Sequence, residues 1–460
     1  ATGSPTIEDM VVAFLLVASL ADCVPARWAT DAPASVDLVK QTPVNCLLLE
    51  REHWSPPFVS AAAGAGIGSL GVIHPEAALP AAVEAAREAG LSGIVLEGTF
   101  ERGALAEAER LAAGANLRLL KLPPRADLDL QTSDPVIGTF QGLWPGIHTR
   151  DDGSAKAAPT GAPWIDTNAG FLRFVRASSR AEIWMGNRPP EGEVIPVNRY
   201  LQAIGDAAMA GARWIVALDS YFYQHLLAGE AEALANWRRI GEELAFWEGH
   251  RELTTLPPAG GLAVIVDAAS GGLLSNAVID MITARHTPLR AIPPEKLDGR
   301  ALQGALMAVN VNPKSLSPQQ RELLKGFARA GRTILNAPPG WTFPPQRRGQ
   351  VVVDEADVAK LDNIWRGVNG IVGRENLGVR LFNVASMRSE LVAGDGGKPT
   401  VLVLLNYSDY PVENVTARVL GQFARARLLT PGASPELLEI FDNGEVEIAE
   451  VGACALLVLE

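Results

Sequence analysis

The sequence predicts an α/β protein in three parts: a TIM-type (β/α) barrel, a flavodoxin- or Rossmann-like α/β layer, and a C-terminal antiparallel β-sandwich. Three observations lead there. From Val44 to Asp219, apolar runs of about five to seven residues alternate with amphipathic stretches, the pattern of strands buried on both faces of a parallel sheet. A Pro/Gly cluster, Pro257-Pro258-Ala259-Gly260-Gly261, then separates this region from a shorter β/α alternation. Beyond Gln350 the texture changes to short apolar runs divided by turn residues. A chain of 460 residues has room for two or three domains.

The elements follow in order. Met10–Ala21 is apolar but shorter than the roughly 20 residues that span a bilayer. Glu8 and Asp9 stand before it, where a signal peptide needs Lys or Arg, and Thr6 precedes Asp9 by a near-capping-box spacing, so a buried N-terminal helix is expected. The barrel strands are Val44–Glu50, Leu70–His74, Gly93–Glu97, Leu117–Leu122, Val136–Phe140, Ala181–Asn187 and Trp214–Asp219. Helical patterns lie between them, as at Pro75–Ala89, Gly103–Ala113 and Pro196–Ala210, with Gly90, Gly114 and Gly211 as stops. Seven strands are visible instead of eight, so the barrel is either incomplete or has one irregular strand. This first part takes residues 1–257.

The second part, 262–340, holds strands at Leu262–Asp267, Leu306–Asn310 and Thr333–Asn336, with helices at Leu273–His286 and Pro318–Ala330. The third part, 350–460, reads as strands at Leu381–Asn383, Val401–Asn406, Val412–Val419, Ala426–Thr430, Glu445–Ala449 and Ala453–Leu459. Asp442-Asn443-Gly444 marks a hairpin.

Composition excludes several functions. Forty basic against 52 acidic side chains leave a net charge of −12, and no Lys/Arg cluster supplies the basic face a nucleic-acid partner needs. Cys23, Cys46 and Cys454 form no CxxC pair, and the six histidines show no metal-ligand spacing, so no metal or cofactor is expected. Gly66-Ile67-Gly68-Ser69-Leu70-Gly71 matches GxGxxG as text, but a helix precedes it and a strand follows, the reverse of a dinucleotide site.

Sites on barrels are built at the C-terminal ends of the strands. Three strands end there in a carboxylate: Glu50, Glu97 and Asp219, the expected catalytic set, though each alone reads equally as a helix cap or loop ion pair. A second concentration from Phe140 to Arg188, on a long loop and the strand after it, comprises Gln141, Trp144, His148, Arg150, Asp151, Asp152, Trp164, Asp166, Asn168, Glu182, Trp184, Asn187 and Arg188. Indoles beside carboxylates and amides suit a sugar, whose C–H faces stack on Trp and whose hydroxyls take polar partners. With Trp54 and Tyr221, the residues Trp144, His148, Asp166, Asn168, Glu182, Trp184 and Asn187 form the expected substrate-binding set. Trp164 and Trp184 read equally well as core plugs.

A barrel, an α/β layer and a terminal β-sandwich resemble the glycoside hydrolases of clan A, notably the family 42 β-galactosidases. The segments PLRAIPPEKLDG and ALMAVNVNPKSLSPQQRELLKGFARAGRTIL look like the glutamine-amidotransferase-like trimerisation domain of those enzymes. VLVLLNYSDYPVENVTARV and the closing ALLVLE are similar to the β-sandwich that terminates many glycosidases. The resemblance implies a carbohydrate substrate cleaved by paired carboxylates. It also implies a middle layer that mediates self-association or braces the barrel, since that layer contains no Cys nucleophile. The clan's acid/base is the Glu of an Asn-Glu pair, and no Asn-Glu dipeptide occurs here, so its catalytic residues do not transfer. A non-catalytic carbohydrate-binding protein, or a barrel enzyme of another chemistry such as a lyase, are the alternatives.

Overall fold

The computed structural model describes residues 19–147, 152, 154, 163–347, 353, 355–373, 378–394 and 398–460. Five parallel strands pair in chain order: β1 (Pro25–Arg27), β2 (Cys46–Leu49), β3 (Gly68–Ile73), β4 (Gly93–Glu97) and β5 (Arg118–Leu122). Next come β6 (Val136–Thr139) and a two-stranded antiparallel ribbon of β7 (Gly146–Ile147) and β8 (Ile165–Asp166). A second parallel sheet places β9 (Glu182–Met185) between β6 and β10 (Arg213–Trp214). The two sheets meet edge to edge. Ala26 and Val216 form a parallel bridge, with Arg27 N donating to Val216 O at 2.7 Å. At the other edge the Thr139 hydroxyl donates to Pro123 O at 2.7 Å.

Strand alternation sorts the side chains into two sets. Leu48, Leu70, Val95, Leu120, Val136, Trp184 and Ile215, drawn from both sheets, share one apolar cluster that Leu20 and Cys23 join. Their neighbours Leu47, Leu49, Ile94, Leu96, Ile183 and Met185 belong to a larger cluster shared with the surrounding helices. The sequence reading missed β1: three residues opening on Pro and closing on Arg carry no periodicity. The expected strand Trp214–Asp219 is shorter, since β10 covers Arg213–Trp214 and a single bridge follows at Val216. The expected N-terminal helix lies mostly outside the described residues. Its end, Leu20–Asp22, is one 3₁₀ turn capped by the Ser19 hydroxyl. The GxGxxG text is a turn from helix Pro56–Gly64 into β3.

A four-stranded parallel sheet follows, made of β11 (Leu262–Ile265), β12 (Leu289–Ile292), β13 (Met307–Asn310) and β14 (Thr333–Asn336), in the order β12-β11-β13-β14. Sequence reading passed over β12, whose Arg290 interrupts the apolar run. Helix Leu273–Thr283 packs on helix Ala169–Ser178, and Gly170 N donates to Asp280 Oδ1 at 3.0 Å. A Cβ on Gly170 would stand 2.6 Å from that oxygen, so the close approach requires glycine. Residues 355–372, expected within an all-strand region, form a helix. Its Leu361, Ile364 and Val368 are buried in the main core, and its Gly367 faces Leu335 of β14.

The C-terminal strands are β15 (Val379–Phe382), β16 (Met387–Ala393), β17 (Thr400–Asn406), β18 (Val412–Val419), β19 (Ala426–Leu429), β20 (Glu436–Leu438), β21 (Glu445–Val451) and β22 (Cys454–Leu459). They form antiparallel sheets of three (β15-β18-β21) and five (β16-β17-β22-β19-β20) strands. Leu402, Leu404 and Leu457 meet Val415 and Ile448 of the smaller sheet. The opposite face, Val401, Val403, Leu405, Leu456 and Val458, joins the main core. Burial on both faces explains why β17 is apolar without alternation. Sequence reading missed β16, whose Arg388, Ser389 and Glu390 look exposed. They are buried, with Glu390 paired to Arg173 of helix Ala169–Ser178.

Candidate active site

Glu50 follows the last residue of β2, Glu97 ends β4 and Arg27 ends β1. Glu50 shares the strand parity of Leu48, and Glu97 that of Val95, so both carboxylates continue the inward face of their strands past its apolar layer. His74 follows β3, and Arg188 stands on the chain leaving β9. These five residues form one network. Arg27 pairs with Glu97 and donates to Glu50 Oε1 at 3.3 Å. Arg188 Nη2 lies 2.5 Å from Glu50 Oε1 and 2.9 Å from Glu97 Oε1. His74 Nε2 is 3.0 Å from Glu50 Oε2.

Burial alone would raise both carboxylates. For Glu97 the two guanidiniums outweigh it and hold the group below its ordinary value. For Glu50 the His74 hydrogen bond, Arg188 and Arg27 do the same. The hydrogen bond to Glu50 pushes His74 upward against its burial. The network is therefore a pair of ionised carboxylates neutralised by two arginines. Exposure separates its members: the Arg188 side chain is 47% exposed, and that of Glu97 7%.

A cavity of about 490 Å³ opens beside the network, lined by Arg27, Glu50, Arg188, Asp219, Tyr221 and Tyr223 among others. Asp219 reaches it with a carboxylate that already accepts three hydrogen bonds. As the N-cap of helix Ser220–Leu227 it accepts from Phe222 N at 2.9 Å, and it also accepts from the Tyr200 hydroxyl at 2.8 Å and Ile195 N at 3.2 Å. It thus ties down the loop that carries Arg188. Tyr221 stands at the rim, 56% exposed and stacked on His225 with ring centroids 3.9 Å apart.

The remaining expected residues divide by position. Trp144 is half-buried against Tyr200 and Trp214, and its Nε1 donates to Arg188 O at 3.3 Å, so it positions that arginine. Asn187 Nδ2 donates to Gly142 O at 2.8 Å. Asp166 accepts from Trp164 Nε1 at 2.8 Å. Asn168 is fully buried between Arg125, Leu143 and Asp206. Trp54 packs in the core over Gly71 and donates to Leu49 O at 2.8 Å. Trp184 is buried in the inward apolar cluster. Glu182 begins β9, at the opposite end of the strands from the cavity, and pairs with Arg251 and Arg213. His148, Arg150 and Asp151 lie outside the described residues.

Sequence reading passed over Arg27 and His74. The strand-end rule that singled out Glu97 would have flagged His74 after Ile73. Arg27 was invisible because its strand was.

No family model matches the sequence, and no curated protein matches it. Among solved structures, the alpha-L-fucosidase isoenzyme 2 from Paenibacillus thiaminolyticus is similar with a TM-score of 0.58 at 10% identity, over 95% of this chain and 99% of that one. The apo exo-carrageenase GH42 from Bacteroides ovatus aligns at a TM-score of 0.40 and 9% identity, over 78% of this chain and 55% of that one. In fold, over nearly its whole length, the chain is similar to a glycoside hydrolase.

Proposed function

We propose that the two parallel sheets act as an eight-stranded (β/α) barrel whose mouth cleaves a glycan, with Glu50 and Glu97 as the carboxylate pair. The observation that carries this reading is the shared hold of Arg188 on both groups. One nitrogen bonded to both keeps those oxygens within about 5.5 Å, the scale on which retaining glycosidases hold their two carboxyl groups. One carboxyl must protonate the leaving oxygen while the other attacks carbon. Glu97, the more buried, takes the acid role: a substrate that displaces the exposed Arg188 guanidinium removes one of the cations keeping it ionised, and burial then raises it. Glu50 faces the cavity with His74 behind it and stays ionised as the nucleophile. Tyr221 offers a rim for a sugar face. The division at 1–257, 262–340 and 350–460, and self-association through the middle sheet, complete the reading.

One observation favours a second reading, carbohydrate binding without cleavage. Both carboxylates are held ionised in the free protein, so neither is a ready proton donor. Purified protein assayed against aryl glycosides and oligosaccharides, with calorimetry on the same panel, separates the two. Turnover abolished by Glu97→Gln supports hydrolysis, and binding without turnover selects the second reading. Neither turnover nor binding sinks both.

A further inference from the structure

Beyond the mouth, a cavity of about 330 Å³ lies where the barrel helices, the four-stranded sheet and strand β16 meet. Four cationic side chains line it (Arg173, Arg176, Arg290 and Lys296) against one carboxylate, Glu390. Arg173 takes that carboxylate. The other three are held by backbone carbonyls. Arg176 donates to Ala181 O at 2.9 Å and Gly211 O at 2.6 Å, Arg290 to Gln303 O at 2.9 Å, and Lys296 to Ala177 O at 2.5 Å.

Two further facts give the cavity a chemical character. The Nε atoms of Arg176 and Arg290 are buried and have no hydrogen-bond partner among the described residues. Carbonyl capping therefore leaves a donor over on each guanidinium, and a buried donor without an acceptor is costly. The rest of the wall is largely apolar, with Met209, Leu256, Leu289, Ile292 and Val392. Burial lowers the proton affinity of Arg176 and Arg290, the direction expected for charges that burial leaves undercompensated.

We infer that this interdomain cavity binds a small organic anion, its charged group on Arg176, Arg290 and Lys296 and its apolar body against the Leu/Ile/Val wall. Such a ligand supplies the missing acceptors and, touching all three parts of the chain, clamps them together.

Calorimetry on the full chain tests this with phenyl phosphate, inorganic phosphate and phenol as probes. Phenyl phosphate is expected to fill one site, inorganic phosphate to bind more weakly, and phenol not at all. Losing one charge-assisted contact in Arg290→Gln or the exposed Lys296→Gln should weaken phenyl phosphate about tenfold, while Arg188→Met at the mouth leaves it unchanged. Equal binding of phenol, unchanged affinity in Lys296→Gln and Arg290→Gln, loss of binding in Arg188→Met, or no binding by wild type would each overturn the inference.

Discussion

Two clusters of two arginines and two glutamates occupy opposite ends of the parallel strands, one where β1, β2, β4 and β9 end and the other at the starts of β9 and β10. At the C-terminal ends stand Arg27, Arg188, Glu50 and Glu97. At the N-terminal ends, Arg213 grips Glu248 with two 2.8 Å bonds and approaches Glu182 at 3.5 Å, and Arg251 pairs with Glu182. Their charges are identical and their surroundings are not. The lower cluster fastens the starts of β9 and β10 to helix Ala231–Gly249 and to the turn after it, and Arg213 also holds the carbonyl of Ala21. The upper cluster adds His74, faces a cavity, and has one member, Arg188, nearly half exposed. Ion pairing by itself therefore says little about function. The end of the strands, and the presence of a displaceable partner, say more.

The contrast can be broken most sharply by matched substitutions. Glu97→Gln should reduce glycoside turnover by about 10²–10⁴-fold, the usual worth of a positioned proton donor. Glu182→Gln should leave turnover intact and instead cost about 1–3 kcal/mol in urea unfolding, because it weakens the ionic partner of the buried Arg213 and the half-buried Arg251. If Glu182→Gln also abolished turnover, the two ends would not differ in the way described.

Asp219→Ala tests the mouth's other carboxylate. Losing a helix N-cap should cost about 2 kcal/mol, seen as a lower urea midpoint, with turnover falling far less than in Glu97→Gln. A fall in turnover as large as that of Glu97→Gln, at unchanged stability, would return Asp219 to the catalytic set.

Arg188→Met sharpens the role of the exposed cation. Removing it lets Glu50 and Glu97 rise, so the acid limb of the pH–rate profile should move to higher pH. Stability follows the same sign. A carboxylate held low when folded contributes stability above its unfolded value and loses it as pH falls through the folded value. In Arg188→Met the two carboxylates sit closer to their unfolded values, so the stability lost on acidification should be smaller, and complete at higher pH, than in wild type.

The smallest effect belongs to His74. Its affinity for a proton is raised by Glu50, so its contribution is complete below the unfolded imidazole value of about 6.5 and disappears as pH rises through the folded one. Urea midpoints at pH 6 and pH 8 should therefore differ slightly more in wild type than in His74→Gln. An equal difference in the two proteins would mean that the Glu50 contact carries no net charge stabilisation.

Much of this architecture was written in local pattern. Runs such as Gly93–Glu97 and Val401–Asn406 are apolar because both faces are buried, and a carboxylate at the end of such a run announces a strand leaving its core. That logic placed Glu50, Glu97 and Asp219 at one end of the strands, while the shared inward face of Glu50 and Glu97 emerged from the structure. Tertiary structure alone decided the rest. β1 is a strand because Val216 on one side and β2 on the other hold three residues that have no propensity pattern of their own. Trp184 is an interior plug and Trp144 a brace for Arg188, although both read alike as indoles near polar residues. Asp219 differs from Glu97 through Tyr200 and Ile195, which approach it from a separate loop and helix. Arg188 joins Glu50 across 138 positions of sequence. A side chain's charge and periodicity are local properties, but the partner that neutralises it arrives by chain closure, which no short window of sequence contains.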